Sequence, residues 1–189
     1  MITAFNARQG TFIKFKNDVY EVVQFEFIKM QQRKPVVKLT CKSVSTGRVV
    51  EFSFSSDDTL EDLTVYRKKA IFSYKNNEFY VFLDSETYEE LYVQSSLVKN
   101  AEFIGESTEV FVLVRSDTEE IIGVELPPTV DLKVIYTEKG IKGDTATSPT
   151  KPATLETNYV VQVPLFIEIG DIVRIDTRTG KYIERVKKK

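Results

Sequence analysis

The sequence predicts an all-β protein made of three small β-barrel modules, and three observations carry that expectation. Thirteen Phe and nine Tyr stand beside only eight Gly and six Pro, a balance that favours sheet because aromatic rings pack well on a pleated surface. Apolar and polar residues alternate through successive short runs, which is the side-chain period of a half-buried strand. Turn-prone clusters separate those runs, so the chain reads as one hairpin after another. At 189 residues there is room for two or three small domains.

The first module is expected over residues 1–65. Thr11 to Phe15 and Tyr20 to Ile28 read as strands joined by Lys16-Asn17-Asp18. In the second of these, Val23, Phe25 and Phe27 fall on one face, with Gln24 and Glu26 on the other. Val36 to Val44 and Val49 to Ser55 form another pair across Ser45-Thr46-Gly47, with Val50, Phe52 and Phe54 turned inward. About five short strands around one apolar face suggest a small barrel. Ser55 to Asp62 is polar and then acidic and reads as turn-like, and Thr64 to Lys69 reads as a linker.

The second module is expected over 66–127. It opens with Ile71 to Tyr74, a turn at Lys75-Asn76-Asn77, and Glu78 to Leu83. Ser85 to Leu91 reads as a short helix capped by Ser85. Glu109 to Arg115 and Ile121 to Glu125 make a further hairpin. Pro127-Pro128 ends it, since proline cannot donate to a strand ladder. The third module, 128–189, begins with the alternation Val130, Leu132, Val134, Tyr136. Modules of this size bury only a marginal core, so neighbours are expected to help stabilise one another.

Composition excludes several function classes. Hydrophobic residues make up 42% of the chain and charged ones 29%, a globular rather than a disordered balance. There is no histidine, hence no imidazole base, no Ser-His pair and no His-ligated zinc. The lone Cys41 alternates in phase with Val37 and Leu39 and reads as a core residue. Asp57-Asp58 and Glu61-Asp62 read as solvated charge, because nothing beside them would raise one pKa as acid catalysis requires. No Gly-rich phosphate loop is present. No catalytic residue, metal ligand or cofactor is expected, and the chain is not expected to be an enzyme. The longest uncharged apolar run, Asn158 to Ile167, is interrupted by Gln162 and Pro164 and falls short of the roughly 20 residues of a membrane helix. Met1 to Phe5 lacks a basic stretch before an apolar core. A cytoplasmic monomer without membrane contact is expected.

Charge is uneven along the chain although the total is only −2. Residues 1–65 hold nine basic and eight acidic groups, residues 66–127 six and twelve, and residues 128–189 eleven and eight. The stretch Lys29 to Lys38 has four basic residues and no acidic one, and the sequence closes on Lys187-Lys188-Lys189. A protein with basic end modules could touch phosphate with both, its acidic middle facing elsewhere. Solvated turns are the bland alternative.

Several uncommon words occur in a fixed order: Lys142-Gly143-Asp144-Thr145-Ala146, Lys151-Pro152-Ala153-Thr154-Leu155, Val163-Pro164-Leu165-Phe166 and Asp176-Thr177-Arg178-Thr179-Gly180. With Glu78 to Asp84, Glu86 to Glu89 and Gly123 to Pro127, they resemble the bacterial elongation factor P family. Glu26-Phe27 and Thr46-Gly47 are the clearest anchors in the first module. The resemblance implies an N-terminal KOW or SH3-like barrel followed by two OB-fold barrels, set in an L. It implies a translation elongation factor that binds the ribosome between the P and E sites. Its contacts would be rRNA, the P-site peptidyl-tRNA and mRNA near the E site, and it would aid peptide-bond formation where consecutive prolines stall synthesis.

Site residues follow from the same resemblance. Gly143, Asp144 and Thr145 match the family's loop near the E-site codon, and Tyr182 and Arg185 match contacts to the P-site tRNA. Strand packing for Tyr182 and surface charge for Arg185 are the alternatives, and Lys151 reads equally well as a solvated loop charge. The family's working loop usually runs Lys-Pro-Gly-Lys-Gly, or carries Arg at the tip, and reaches the CCA end of the tRNA, often after enzymatic extension. Here it reads Lys29-Met30-Gln31-Gln32-Arg33-Lys34-Pro35, with Gln32 at the tip flanked by Lys29, Gln31, Arg33 and Lys34. Both glycines are gone, so easy access to positive φ is lost. An unmodified Gln32 donating to a ribose or phosphate oxygen is the reading taken. A shifted loop with Arg33 or Lys34 at its tip, and a divergent paralogue of other stall specificity, stay open. So does a generic OB-fold RNA-binding module without peptide-bond stimulation, for which Tyr80 and Phe82, on one face of their strand, would be base-stacking candidates, with core packing the favoured reading of both.

Overall fold

Alternation of apolar and polar side chains becomes strand after strand in the computed structural model, which describes residues 1–29, 31, 33–139 and 149–186. The strands are β1 (Ile2–Thr3), β2 (Phe12–Phe15), β3 (Asp18–Ile28), β4 (Val36–Ser43), β5 (Val49–Ser55), β6 (Thr59–Leu63), β7 (Val65–Lys75) and β8 (Phe79–Asp84). They continue as β9 (Glu90–Gln94), β10 (Glu109–Arg115), β11 (Ile121–Glu125), β12 (Thr129–Thr137), β13 (Thr150–Leu155), β14 (Val160–Pro164), β15 (Ile172–Asp176) and β16 (Tyr182–Val186). Short 3-10 turns at Ala4–Asn6, Ser95–Leu97 and Ala101–Phe103 are the only helical elements among the described residues. The fold is all-β, as the sequence predicts. The strands form three sheets, ordered β1-β6-β2-β3-β4-β5, β11-β10-β7-β8-β9 and β14-β13-β12-β15-β16. The chain divides into two compact units, Met1–Lys68 with Val112–Val124, and Lys69–Phe111 with Glu125–Lys189.

In the first sheet, β2 and β3 meet in a two-residue hairpin whose Lys16 and Asn17 both have positive φ. That geometry matches the right-handed twist of the flanking strands. Ala4, Ala7, Ile13, Val22, Val37, Leu39, Cys41 and Leu60 form the core, and Phe25, Val50, Phe52 and Phe54 pack against it. Phe15 meets Phe52 and Phe54 edge-on at 5.0 and 5.3 Å between ring centroids, an arrangement that suits the ring quadrupoles. The β3–β4 register slips between Val22 and Gln24. This bulge at Val23 turns Val22 rather than Val23 to the buried side, while Phe25 and Phe27 keep the expected shared face opposite Leu39 and Val37, Phe27 being 40% exposed.

Two expected irregular segments are strands instead. Glu61 and Asp62 lie in β6, not in a turn, and only Thr64 separates β6 from β7. Pairing prevails because Leu60 of β6 is buried, while β1 and β2 flank the strand. The expected helix at 85–91 is a turn followed by β9. Asp84 decides this: its carboxylate accepts the N–H groups of Glu86 (2.8 Å) and Thr87 (3.2 Å), and Tyr88 takes positive φ. Such an Asx turn offers the backbone an alternative to helix.

The third sheet curls because its outer strands β14 and β16 come into contact. Its core holds Val130, Leu132, Val134, Leu155, Val163, Ile167, Val173 and Ile175, joined by Phe103 from the 3-10 turn, and Tyr159 and Tyr182 pack against it. Pro127 and Pro128 donate nothing, but both carbonyls accept the Thr177 hydroxyl, at 2.6 and 3.0 Å.

Gly180 turns β15 into β16 at φ +69, with the Tyr159 hydroxyl where a Cβ would stand. Gly180→Ala is expected to cost about 2–3 kcal/mol, from strained backbone plus overpacking. In a Tyr159→Phe background, where the clashing hydroxyl is gone, the cost should fall to about 1 kcal/mol. Urea unfolding of the wild type and the three variants of this cycle checks it; equal costs in both backgrounds would refute the steric account.

Candidate nucleic-acid interface

The long hairpin of β3 and β4 ends at the pair Ile28 and Val36. Residues 29–35 close it. Pro35 is half-buried and its carbonyl accepts the Ser56 N–H at 3.2 Å, which ties the loop's return limb to the turn between β5 and β6. Lys29, Gln31, Arg33 and Lys34 are exposed. Among the described residues none of the three cations has a carboxylate partner. Unpaired surface cations hold no competing anion, so a phosphate can take them without breaking an ion pair. Gln32, the expected tip, lies outside the described residues.

Gly143, Asp144 and Thr145 likewise lie outside the described residues, but the stem that carries them is built firmly. Lys151 is not the solvated loop charge that was one sequence reading. It is only 8% exposed and donates from Nζ to the Glu138 carbonyl at 2.6 Å. It sits in β13, where alternation turns Lys151, Ala153 and Leu155 to the buried side. The Thr137 hydroxyl donates to the Pro152 carbonyl at 2.9 Å, so the two limbs of the stem are joined twice.

Tyr182 and Arg185 are three residues apart in β16, and regular strand geometry would send them to opposite faces. The register against β15 runs Ile172↔Val186, Val173↔Arg185, Arg174↔Glu184 and then Ile175↔Tyr182. The extra residue, Ile183, forms a bulge that restores Tyr182 and Arg185 to one side, opposite the buried Ile175 and Val173. Re-aiming side chains is a common use of a bulge. Tyr182 packs on the core, and burial raises its hydroxyl pKa. Arg185 lies 5.3 Å from the Phe166 ring centroid and 3.6 Å from the Asp171 carboxylate, with its side chain 47% exposed. Exposed ion pairs contribute little, so Asp171 orients this guanidinium without withdrawing it from a stronger anion. Arg174, by contrast, is engaged by both Asp131 (2.8 Å) and Glu184 (2.6 Å) on the other side. Phe166 is the partner that sequence reading missed; its signal was the Val163-Pro164-Leu165-Phe166 word, in which an aromatic ring follows a strand end.

The loop residues belong to one compact unit, and Tyr182 and Arg185 to the other. Tyr80 and Phe82 are buried at 8% and 0% exposure, so they are core residues, not base-stacking ones. The described residues contain no cluster of three metal-ligating side chains and no helix long and apolar enough to cross a membrane.

Comparison with known proteins covers the chain end to end. The KOW-like domain of elongation factor P matches residues 3–60, its OB domain residues 65–124 and its C-terminal domain residues 130–185. The elongation factor P of Amoebophilus asiaticus is 43% identical over 187 residues, covering 99% of this chain and 98% of that protein. That of Moorella thermoacetica is 44% identical over 186 residues, covering 98% and 100%. Among solved structures, the eukaryotic translation initiation factor 5A from Methanococcus jannaschii covers 65% of this chain and 92% of its own at a TM-score of 0.46 and 14% identity.

Burial pushes the Cys41 thiol up to about 11. The raised value favours the neutral thiol in the folded state, so this group's contribution to stability is intact below the unfolded pKa, near 8.5. It is lost as pH rises from there toward 11. Cys41 should therefore resist a thiol reagent at pH 7.5 in the folded protein and label quickly in denaturant. Rapid native labelling would contradict this burial.

Proposed function

The chain belongs to the elongation factor P family, and on that premise we propose that it is a translation elongation factor binding the ribosome between the P and E sites. There it positions the peptidyl-tRNA and stimulates peptide-bond formation at consecutive prolines. Its three modules, 1–65, 66–127 and 128–189, act as one cytoplasmic monomer. The observation that carries this reading is the exposed set Lys29, Arg33 and Lys34 around a hairpin tip, none of them paired with a carboxylate among the described residues.

Proline is a secondary amine in a constrained ring, a poor nucleophile in a poor orientation. A factor that clamps the tRNA in a reactive geometry restores rate by removing the entropic cost of alignment. The ribosome supplies the chemistry, so the factor needs no general base or nucleophile, in keeping with a chain that has no histidine and one buried cysteine. Gln32 is placed at the CCA end and acts through its unmodified amide, with Lys29, Gln31, Arg33 and Lys34 around it. Gly143, Asp144 and Thr145 reach the E-site codon. Tyr182 sets the strand, and Arg185, oriented by Phe166 and Asp171, meets a phosphate of the P-site tRNA.

In reconstituted translation of a message with three consecutive proline codons, the protein should speed the full-length product and leave a proline-free control unchanged. Native and recombinant preparations should be equally active, and the native protein should have the mass of its unmodified sequence. A mass increment on the loop would overturn the role given to Gln32, and no acceleration by either preparation would overturn the function. Arg185→Ala should leave the unfolding midpoint within experimental error while weakening ribosome binding. It should also flatten the dependence of log K on log salt by about one contact. An unchanged slope would remove Arg185 from the interface.

A further inference from the structure

Arg8 is an exposed cation held in place by its surroundings. The preceding Ala7 is fully buried in the first core, and its N–H donates to the Ala4 carbonyl at 3.2 Å. The Arg8 carbonyl accepts the Thr11 N–H at 3.0 Å, and the Gly10 N–H donates to the Val22 carbonyl at 2.8 Å. The backbone on either side of Arg8 is thereby fixed. Its guanidinium carbon lies 3.9 Å from the Phe25 ring centroid and 4.7 Å from that of Phe5. Phe5 meets Phe25 and Phe27 edge-on at 6.2 and 5.1 Å. A guanidinium stacked on rings keeps its planar N–H edge free for an oxygen ligand.

Nothing among the described residues uses that edge. Arg8 has no carboxylate or hydrogen-bond partner among the described residues. The carboxylates of the β5–β6 turn are engaged locally, Asp58 accepting the Ser55 N–H and Asp57 the Ser56 hydroxyl. Glu26 alternates to the other side of β3, opposite Lys38. Phe5 and Phe27 are 39% and 40% exposed, which leaves two large rings open beside an unpaired planar cation. Phe25 and Phe27 share one side of β3, and Lys29 continues that alternation one position past the strand end. The aromatic group thus leads directly into the cationic loop.

We infer that Arg8, with the rings of Phe5 and Phe27, forms a second RNA contact of the first module, in which the guanidinium takes a backbone phosphate and an exposed ring takes a base or ribose face. Unpaired positive charge with open aromatic rings is the combination that RNA rewards: phosphate contacts supply affinity and stacking tolerates any base. A basic protein segment would be repelled by the same cations. The inference rests on the proposed ribosomal function and adds a site separate from the loop tip.

The test uses the full-length protein, titrated against ribosomes with and without P-site tRNA over a range of salt. Arg8→Met keeps an apolar stem over the rings and removes the charge. It should bind about fivefold more weakly, with the log K against log salt slope shallower by about one. Phe27→Leu should weaken binding with the slope unchanged. Arg8→Lys keeps a cation and loses the planar fork, so its slope should hold while affinity falls, and it serves if Arg8→Met folds poorly. A loss confined to ribosomes carrying tRNA assigns the phosphate to tRNA, and a loss with both assigns it to rRNA. Wild-type affinity and slope in Arg8→Met would overturn the inference. So would weaker binding at unchanged slope, which would indicate a protein contact. A wild-type chain that binds neither kind of ribosome would remove the proposed function itself, an outcome distinct from selective loss in the variants.

Discussion

Strand parity is the constraint on which the rest of this structure depends. Successive side chains point to opposite faces, so one slipped residue exchanges core for surface. The chain resets that parity by bulges, between Val22 and Gln24, Phe72 and Tyr74, and Val134 and Tyr136, and again where Ile183 stands out of register with β15. At Val23 the bulge sends Val22 inward. At Ile183 it brings Tyr182 and Arg185 to one side. Tyr182 and Arg185 thus share a side because the pleat is interrupted between them.

Much of the fold was legible for that same reason. The hairpins Val36 to Val44 with Val49 to Ser55, and Glu109 to Arg115 with Ile121 to Glu125, have clean alternation and turn residues between, and they match the strands to within a residue. Bulges were not legible, because a two-residue period carries no mark of where it will slip. The helix expected at 85–91 failed because a local competitor, the Asp84 carboxylate, outweighed a weak capping signal. The Thr64 to Lys69 linker failed because polar composition does not prevent pairing when Leu60 on one side and Ala70 on the other are buried. Of the candidate site, the exposure of Lys29, Gln31, Arg33 and Lys34 was readable from loop composition. The burial of Lys151 and the stacking of Arg185 on Phe166 were not, since both depend on distant chain segments meeting.

Electrostatic selection accompanies the geometric one. Many basic residues here are neutralised by design of the surface: Arg115 by Asp117 and Glu120, Arg174 by Asp131 and Glu184, Arg67 by Glu21, Lys69 by Glu109. Asp117 is held below the usual carboxylate range by the Arg115 hydrogen bonds, and Asp176 chiefly by the Arg178 backbone N–H. Lys29, Arg33 and Lys34 have no such partner among the described residues. With a net charge of only −2, the protein has no general affinity for polyanions to rely on. What it offers is a small number of unpaired cations in fixed places, which favours register over bulk attraction.

The pairing of β1 with β6, Ile2 opposite Leu60, has a consequence for how the molecule comes into being. β1 lies at one edge of its sheet and finds its partner only at the last strand of that module to be made. During synthesis β1 must therefore remain unpaired until Leu60 and its neighbours have followed. β2 to β5 can meanwhile zip locally, hairpin by hairpin, because each neighbour is short-range and loop closure is cheap. Ala4 and Ala7 share the core with Leu60, so that part of their burial waits on the late strand.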